Sequence, residues 1–243
     1  MARRILILGA SSTLGLAVAQ VLGAEGNQLW LTSRDPQKMA DMSRQFVTAR
    51  VDKFDALVPE DARGLRTEIQ RGWGGLDGLV CAFGSGALKP VHMWSDQAAA
   101  EMMNLNVQAL VRLGREFLPL LLKGDQPSVV LISSIMGVVG AAGMSVYGAS
   151  KAAVASLARS WAIEWAPRRI RVNAVAPGMV PSPMSDTILG SLSPAQVAAV
   201  QGRHPLGFGE SKDVAYAVVF LLGPEAKWIT GVVLPVDGGY SAQ

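Results

Sequence analysis

The chain contains one cysteine, Cys81, two histidines, and aromatic residues at only 6%. A single cysteine excludes an internal disulfide framework. No cluster of His, Cys, Asp and Glu has metal-ligand spacing, so no metal is expected. Charge is also scarce, at 17% of residues with a net of +3, and no basic run is longer than Arg3-Arg4 or Arg168-Arg169. Lacking a basic stripe interleaved with aromatics, the chain is not expected to bind nucleic acid, and its charges read as a dispersed, solvated surface. Every apolar stretch is interrupted by Gly, Ser or charge before the roughly 18 residues that suggest a membrane span. No long hydrophobic region precedes the first strand pattern, so a soluble, cytoplasmic protein is expected.

What is abundant is apolar sequence: half of the 243 residues are hydrophobic, enough for one domain with a deep core. Short β-rich runs recur at Ile5 to Leu8, Leu29 to Leu31, Leu76 to Ala82, Ser128 to Ile132, Ile170 to Val175 and Val232 to Val236, with a poorer one at Phe46 to Val51. Helical spacing of apolar residues separates them, most clearly at Leu14 to Leu22, Ala98 to Leu122, Val146 to Trp165 and Asp213 to Leu222. This alternation predicts an α/β fold, a parallel sheet with crossover helices on both faces. Polar and Pro-rich composition at Pro177 to Pro194 and Gly202 to Gly209 predicts loops flanking a short helix near Pro194 to Gln201. The segment 179–209 is a candidate substrate lid.

Three local patterns carry chemistry. Gly9-Ala-Ser-Ser-Thr-Leu-Gly15 follows the first strand and feeds a helix, a turn that offers backbone N–H groups and a positive dipole end to a pyrophosphate. The other reading is a tight turn capped by Ser12 or Thr13. At the end of the second strand, Ser33 stands where an acid holding an adenosine ribose is expected. Arg34 beside it suits a 2′-phosphate, so NADP(H) is favoured over NAD(H); alternatively Arg34 is an exposed loop arginine and Asp35 only caps the next helix, with Pro36 at its first position. Finally, Tyr147 and Lys151 share a helix face at i and i+4, with Ser134 upstream, and an ammonium beside a phenol biases it towards releasing its proton.

Together these motifs resemble the short-chain dehydrogenase/reductase family in its single-domain form, and the resemblance spans about Arg3 to Tyr240. It implies a doubly wound, Rossmann-like parallel sheet of about seven strands in a single domain over 1–243. It also implies a nicotinamide cofactor and a catalytic tetrad of Asn106, Ser134, Tyr147 and Lys151, with Asn104 as the alternative for the first. By the same resemblance, cofactor contacts fall at Gly9, Ser11, Ser12, Thr13, Leu14, Gly15, Ser33, Arg34, Asp52, Ala82, Gly84, Pro177, Gly178 and Ser182. Asp52 stands for the family's adenine-contacting Asp, Pro177-Gly178 for its turn beside the nicotinamide, and Ser182 where many members carry a Thr; Asp237-Gly-Gly239 resembles the closing segment. Tyr147 would exchange the proton and Lys151 would stabilise its phenolate and hold the nicotinamide ribose. Ser134 would steady the substrate oxygen, and Asn106 would keep a water in a proton relay.

The sequence departs from the family pattern in three places. Thr13 replaces a glycine of the phosphate turn, Leu8 replaces a frequent Thr, and Cys81-Ala-Phe-Gly84 replaces Asn-Asn-Ala-Gly. Cys81 and Ala82 read as apolar filler, Cys81 as a buried thiol rather than a nucleophile. His92 and His204 fall in expected loops at the site's edge and read as surface histidines, a substrate contact being the other reading. Trp161 and Trp165, with the apolar helix Leu110 to Leu122, suggest a face packed on a second subunit, and the resemblance implies a tetramer; the alternative is that the Trp residues are local core. The expected activity is NADP(H)-dependent reduction of a ketone or oxidation of a secondary alcohol, with a 3-oxoacyl thioester the nearest substrate. A sugar, steroid or specialised-metabolite alcohol is the alternative substrate, and a silent NADP(H)-sensing or scaffold protein is the alternative class.

Overall fold

Ile5, Leu6, Ile7 and Leu8 are all fully buried, although successive side chains of a strand point to opposite faces. Leu6 and Leu8 enter one hydrophobic cluster and Ile5 and Ile7 the other. A continuous apolar run is what a strand covered on both sides requires. The computed structural model describes residues 2–243. In chain order its elements are β1 (Arg4–Leu8), α1 (Thr13–Ala24), β2 (Gln28–Ser33), α2 (Pro36–Gln45), β3 (Arg50–Lys53), α3 (Pro59–Gly72), β4 (Gly78–Cys81), α4 (Asp96–Met103), α5 (Ala109–Leu121), β5 (Ser128–Ile132), α6 (Ser145–Trp165), β6 (Arg171–Pro177), α7 (Pro183–Gly190), α8 (Pro194–Gly202), α9 (Ser211–Leu222) and β7 (Val233–Val236).

The seven strands form one parallel sheet in the order β3-β2-β1-β4-β5-β6-β7. One face packs on α3, α5 and α6 through Leu65, Ile69, Phe117, Val154 and Ala158. The other packs on α1 and α9 through Val18, Leu22, Val214, Val218 and Leu221. This is a single-domain, doubly wound Rossmann-like fold. The order in which the chain adds strands reverses at the paired β1 and β4, so the connections leaving their carboxyl ends run to helices on opposite faces and leave a crevice, the place where such sheets bind ligands.

Three expectations are corrected. The long helix expected over Ala98 to Leu122 is interrupted: Asn104–Gln108 is a π-turn, in which the Ala109 N–H reaches back to the Asn104 carbonyl. Its wider coil accommodates one extra residue, and Asn106, buried within it, bonds to neighbouring backbone instead of extending the apolar stripe. The third strand lies at Arg50–Lys53 rather than Phe46 to Val51, because Phe46 closes α2 through its N–H to the Met42 carbonyl and packs into the core. Pro177 to Pro194 is not all loop: Ser182 and Ser185 form a capping box with Pro183 at the first helical position, and α7 follows, a start signal hidden by its Pro and Ser content.

The tryptophan face is corrected as well. Trp161 and Trp165 stack at 4.9 Å and are buried inside this chain, so they are local core. The exposed apolar side chains of α5, its C-cap and α6 are instead Val111, Leu122 and Ile163. A Cβ on Gly114 of α5 would sit 2.6 Å from the Trp161 ring, and Trp165 stacked behind it blocks retreat. Glycine to alanine inside a helix ordinarily gains up to ~1 kcal/mol. Gly114→Ala is expected instead to lose roughly 1–3 kcal/mol through overpacking, measured by urea unfolding with an unchanged slope.

Candidate active site

The carboxyl ends of β1, β4, β5 and β6 open into a continuous cavity of about 760 Å³. Its walls run from Arg34 and Lys38 at one end, past Gly9, Thr13 and Tyr147, to Met184, Leu192 and Arg203. At the β1–α1 turn, Gly9 adopts φ +78, a left-handed conformation that a side chain would strain. A Cβ there would also press on the Ala82 carbonyl at 3.0 Å. Gly15 lies beneath the turn, where a Cβ would come within 2.4 Å of the Gly9 carbonyl. Ser12 is the N-cap of α1: its hydroxyl accepts from the Gly15 N–H at 3.0 Å and donates to the Ala82 carbonyl at 2.8 Å. Thr13 is the first residue of α1 and is not among the positive-φ residues, so its helical backbone accepts a β-branched side chain where the family has glycine. With Leu14, it presents first-turn amides that lack intrahelical acceptors to the cavity wall. These close approaches make a cradle that added Cβ atoms would fill, and the cradle fits a dinucleotide pyrophosphate.

At the adenosine end, the Ser33 hydroxyl donates to Ser11 Oγ at 2.8 Å, so two neutral hydroxyls stand where an acid would select NAD(H). Arg34 is exposed and lies 3.8 Å from Asp55. Asp35 caps α2, accepting from the Gln37 and Lys38 N–H groups. The exposed Lys38 also lines this end; sequence reasoning missed it because one lysine on a solvated helix turn carries no pattern. Asp52 does not line the cavity: its carboxylate accepts from the Trp30 indole at 2.6 Å. Cys81 is buried core, its thiol pushed up to about 12 by burial, and Ala82 packs in the opposite cluster.

Ser134, Tyr147 and Lys151 converge on the middle of the cavity. Ser134 follows β5 and caps a short turn, accepting from the Met136 N–H at 3.2 Å. Lys151 is buried and donates to the Ile132 carbonyl at 2.9 Å. Its Nζ lies 5.9 Å from the Tyr147 ring centre. Burial pulls the Lys151 ammonium down to about 8. It pushes the Tyr147 phenol above its ordinary value, while the Ser134 hydroxyl acts against that rise. Asn106 does not line the cavity. Its side chain accepts from the Ser85 N–H and donates to the Ser85 carbonyl, both at 2.9 Å, and donates to Ser150 Oγ at 3.0 Å. Ser150 in turn donates to the Tyr147 carbonyl, and Ser133 to the Lys151 carbonyl. Ser85, Ser133 and Ser150 were not foreseen, since an isolated serine carries no sequence signal of its partners.

On the opposite wall, Gly178 approaches β7 so closely that a Cβ would meet Asp237 Cα at 2.8 Å. Pro177, Gly178 and Ser182 all line the cavity, and Ser182 also caps α7. The surface reading of His204 is corrected: it is buried, its Nε2 accepts from the Met179 N–H at 3.2 Å, and its Nδ1 faces the Val200 carbonyl at 2.9 Å. It packs on Tyr240 and Phe208. His92 is exposed, in a short turn. Among the described residues, no helix is long and apolar enough to cross a membrane.

The Lys151 shift has a sign that can be tested. Below about pH 8 both folded and unfolded chains carry the ammonium, and the folded state bears its full burial penalty. From there up to the ordinary lysine value the unfolded chain holds a proton the folded chain lacks, so stability rises with pH. Lys151→Met has no such term. The melting temperature of Lys151→Met minus that of the wild type is therefore expected to fall as pH is raised from 7 to about 10, measured by thermal unfolding in matched buffers.

Comparison with known proteins agrees with this architecture. A family model described as enoyl-(acyl carrier protein) reductase matches residues 9–241. A tropinone reductase homologue of Arabidopsis thaliana is 32% identical over 97% of this chain and 91% of its own length. A 3-oxoacyl-[acyl-carrier-protein] reductase of Rickettsia prowazekii is 33% identical over 96% of this chain and 95% of its own. The solved structure of a short-chain type dehydrogenase/reductase from Mycobacterium ulcerans superposes with a TM-score of 0.92 at 26% identity, covering 99% of this chain and 90% of the other. With its all-parallel seven-stranded sheet and this match over nearly its whole length, the chain belongs to the short-chain dehydrogenase/reductase family of nicotinamide-dependent oxidoreductases.

Proposed function

We propose that the protein is an NADP(H)-dependent oxidoreductase that interconverts a ketone and a secondary alcohol. The observation that carries this reading is the convergence of Tyr147, Lys151 and Ser134 on a cavity continuous with the Gly9–Leu14 turn and Arg34. Bound nicotinamide supplies the hydride in reduction and accepts it in oxidation. In reduction the Tyr147 hydroxyl gives its proton to the substrate oxygen as that oxygen gains charge, and in oxidation it takes the proton back. Ser134 holds the same oxygen by hydrogen bond. The Lys151 charge stabilises the phenolate left behind. Asn106 acts from behind the wall, fixing Ser85 against Ser150 and so the start of α6.

Arg34 and Lys38 are the groups that would receive a 2′-phosphate, and the neutral Ser11–Ser33 pair stands where an NAD(H)-selecting acid is expected, the nearby Asp55 carboxylate lying beside Arg34 at 3.8 Å. The α7–α8 segment, which buries only Ser185, is a lid over the substrate end. Its apolar lining favours a ketone with a hydrocarbon body, of which a 3-oxoacyl thioester is the nearest example, over a free sugar. Steroid and specialised-metabolite alcohols share that chemistry. Apolar side chains exposed on α5, α6 and α9, such as Ile163 and Phe220, support a homo-oligomer; that it is a tetramer and cytoplasmic rests on the family resemblance and on the sequence reading alone.

Purified protein is expected to oxidise NADPH with at least one member of a panel of acyl thioester, steroid, aromatic and sugar ketones. Tyr147→Phe is expected to lose about 10²–10⁴-fold in kcat. NADPH binding with no turnover across the panel, or turnover that survives Tyr147→Phe, contradicts the reading. Arg34→Ala is expected to weaken NADPH by roughly ten- to hundredfold while NADH changes little. Equal losses for the two cofactors in fluorescence titrations contradict the phosphate assignment.

A further inference from the structure

Beyond Tyr147 the cavity continues into a chamber walled by Leu88, Met144, Met184, Ile188, Leu192 and Val200. Branched aliphatics and flexible thioethers offer such a chamber an apolar, adaptable surface. The polar side chains that α8 and the C-terminal segment add to it are Gln196, Arg203, His204 and Tyr240. Gln196 is engaged, its Oε1 accepting from the Ser193 N–H at 2.9 Å. Both ring nitrogens of His204 are engaged, by Met179 and Val200, so the imidazole serves the backbone and has no free nitrogen for a ligand. Tyr240 is buried, its ring forming a platform.

Arg203 differs from these. Its guanidinium lies 4.4 Å from the centre of the Tyr240 ring, a stack that orients a planar cation without neutralising it. Among the described residues no carboxylate lies within salt-bridge distance of it. The one acidic side chain lining the cavity, Asp55, is at the opposite end beside Arg34. An oriented, unpaired cation at the wall of a largely apolar chamber is arranged to meet an anion on the ligand.

Resting on the ketone and alcohol reading above, we propose that the substrate carries an anionic group, a carboxylate, on an apolar body, and that Arg203 is the specificity-determining residue that receives it. The apolar body lies along the chamber, the reacting carbon is at Tyr147 and the carboxylate is at Arg203. Hydride arrives at the carbonyl carbon from the reduced nicotinamide and the proton arrives at its oxygen from Tyr147, so the carboxylate is unchanged by the reaction. Arg203 acts on binding and not on the chemical step.

The test compares a series of methyl-ketone carboxylic acids of increasing chain length, each with its methyl ester, using wild type, Arg203→Met and Arg203→Lys, with NADPH affinity measured as the check on folding. For the wild type, kcat/KM is expected to favour the acid at one chain length by about tenfold or more. Arg203→Met is expected to bring acid and ester to near equality by raising KM for the acid with kcat retained, and Arg203→Lys to restore part of the preference. A wild-type preference for the ester, or an acid preference that Arg203→Met leaves intact, overturns the proposal. Turnover of neutral ketones with none of the acids overturns it too while leaving the activity reading standing; failure of every ketone overturns both.

Discussion

The structure turns on one buried cation. Lys151 places its ammonium beneath the cavity, out of water, and holds it there with the Ile132 carbonyl at the end of β5. Desolvating a charge is costly, and the cost is met by positioning rather than by a counter-charge. The helix that carries Lys151 is tied to the end of β5 by the Ser133 hydroxyl, which donates to the Lys151 carbonyl, and within the helix the Ser150 hydroxyl donates to the Tyr147 carbonyl. Ser150 is held by Asn106, which the π-turn between α4 and α5 aims inward. Moving any of these parts shifts the phenol and the ammonium relative to each other, and their separation sets how far one biases the other.

A second constraint is close backbone approach at the β1–α1 turn. Gly9, Gly15 and Ala82 meet with no room for another carbon, and Ser12 bonds across from the turn to the end of β4. That cross-link reconciles the departures of this chain with an intact fold. Where the family has asparagines at the end of β4, Cys81 and Ala82 fill the two cores, and the polar tie between the strand ends comes from Ser12. Thr32 adds another, accepting from the Gly9 N–H at 3.2 Å and donating to the Ile7 carbonyl at 3.3 Å.

Much of this was legible in the sequence because it depends on local patterns. Strands buried on both faces read as unbroken apolar runs, and the Gly9–Gly15 turn and the Tyr147–Lys151 spacing are local motifs. What escaped depends on partners distant in the chain. The π-turn exists because Asn106 meets Ser85 and Ser150, neither of which is near it in sequence. Trp161 looked like an interface residue because nothing local reveals that Gly114 was vacated for its ring. His204 read as a surface residue because its two partners, Met179 and Val200, come together only when α8 folds back over β6. Asp52 matched a motif by position, yet its carboxylate is committed to Trp30.

The two ends of the cavity are alike in their physics. Each carries an exposed arginine at the rim, Arg34 at one and Arg203 at the other, and between them lie Ser134, Tyr147 and the buried Lys151. The measurement that bears most directly on this account is the titration of Lys151 itself, followed by ¹⁵N resonance of its side chain and assigned with Lys151→Met. A midpoint near pH 8 is what a desolvated ammonium poised beside Tyr147 requires. A midpoint at the ordinary lysine value of about 10.4 would mean that the ammonium is solvated, and would contradict the claim that its burial organises the site.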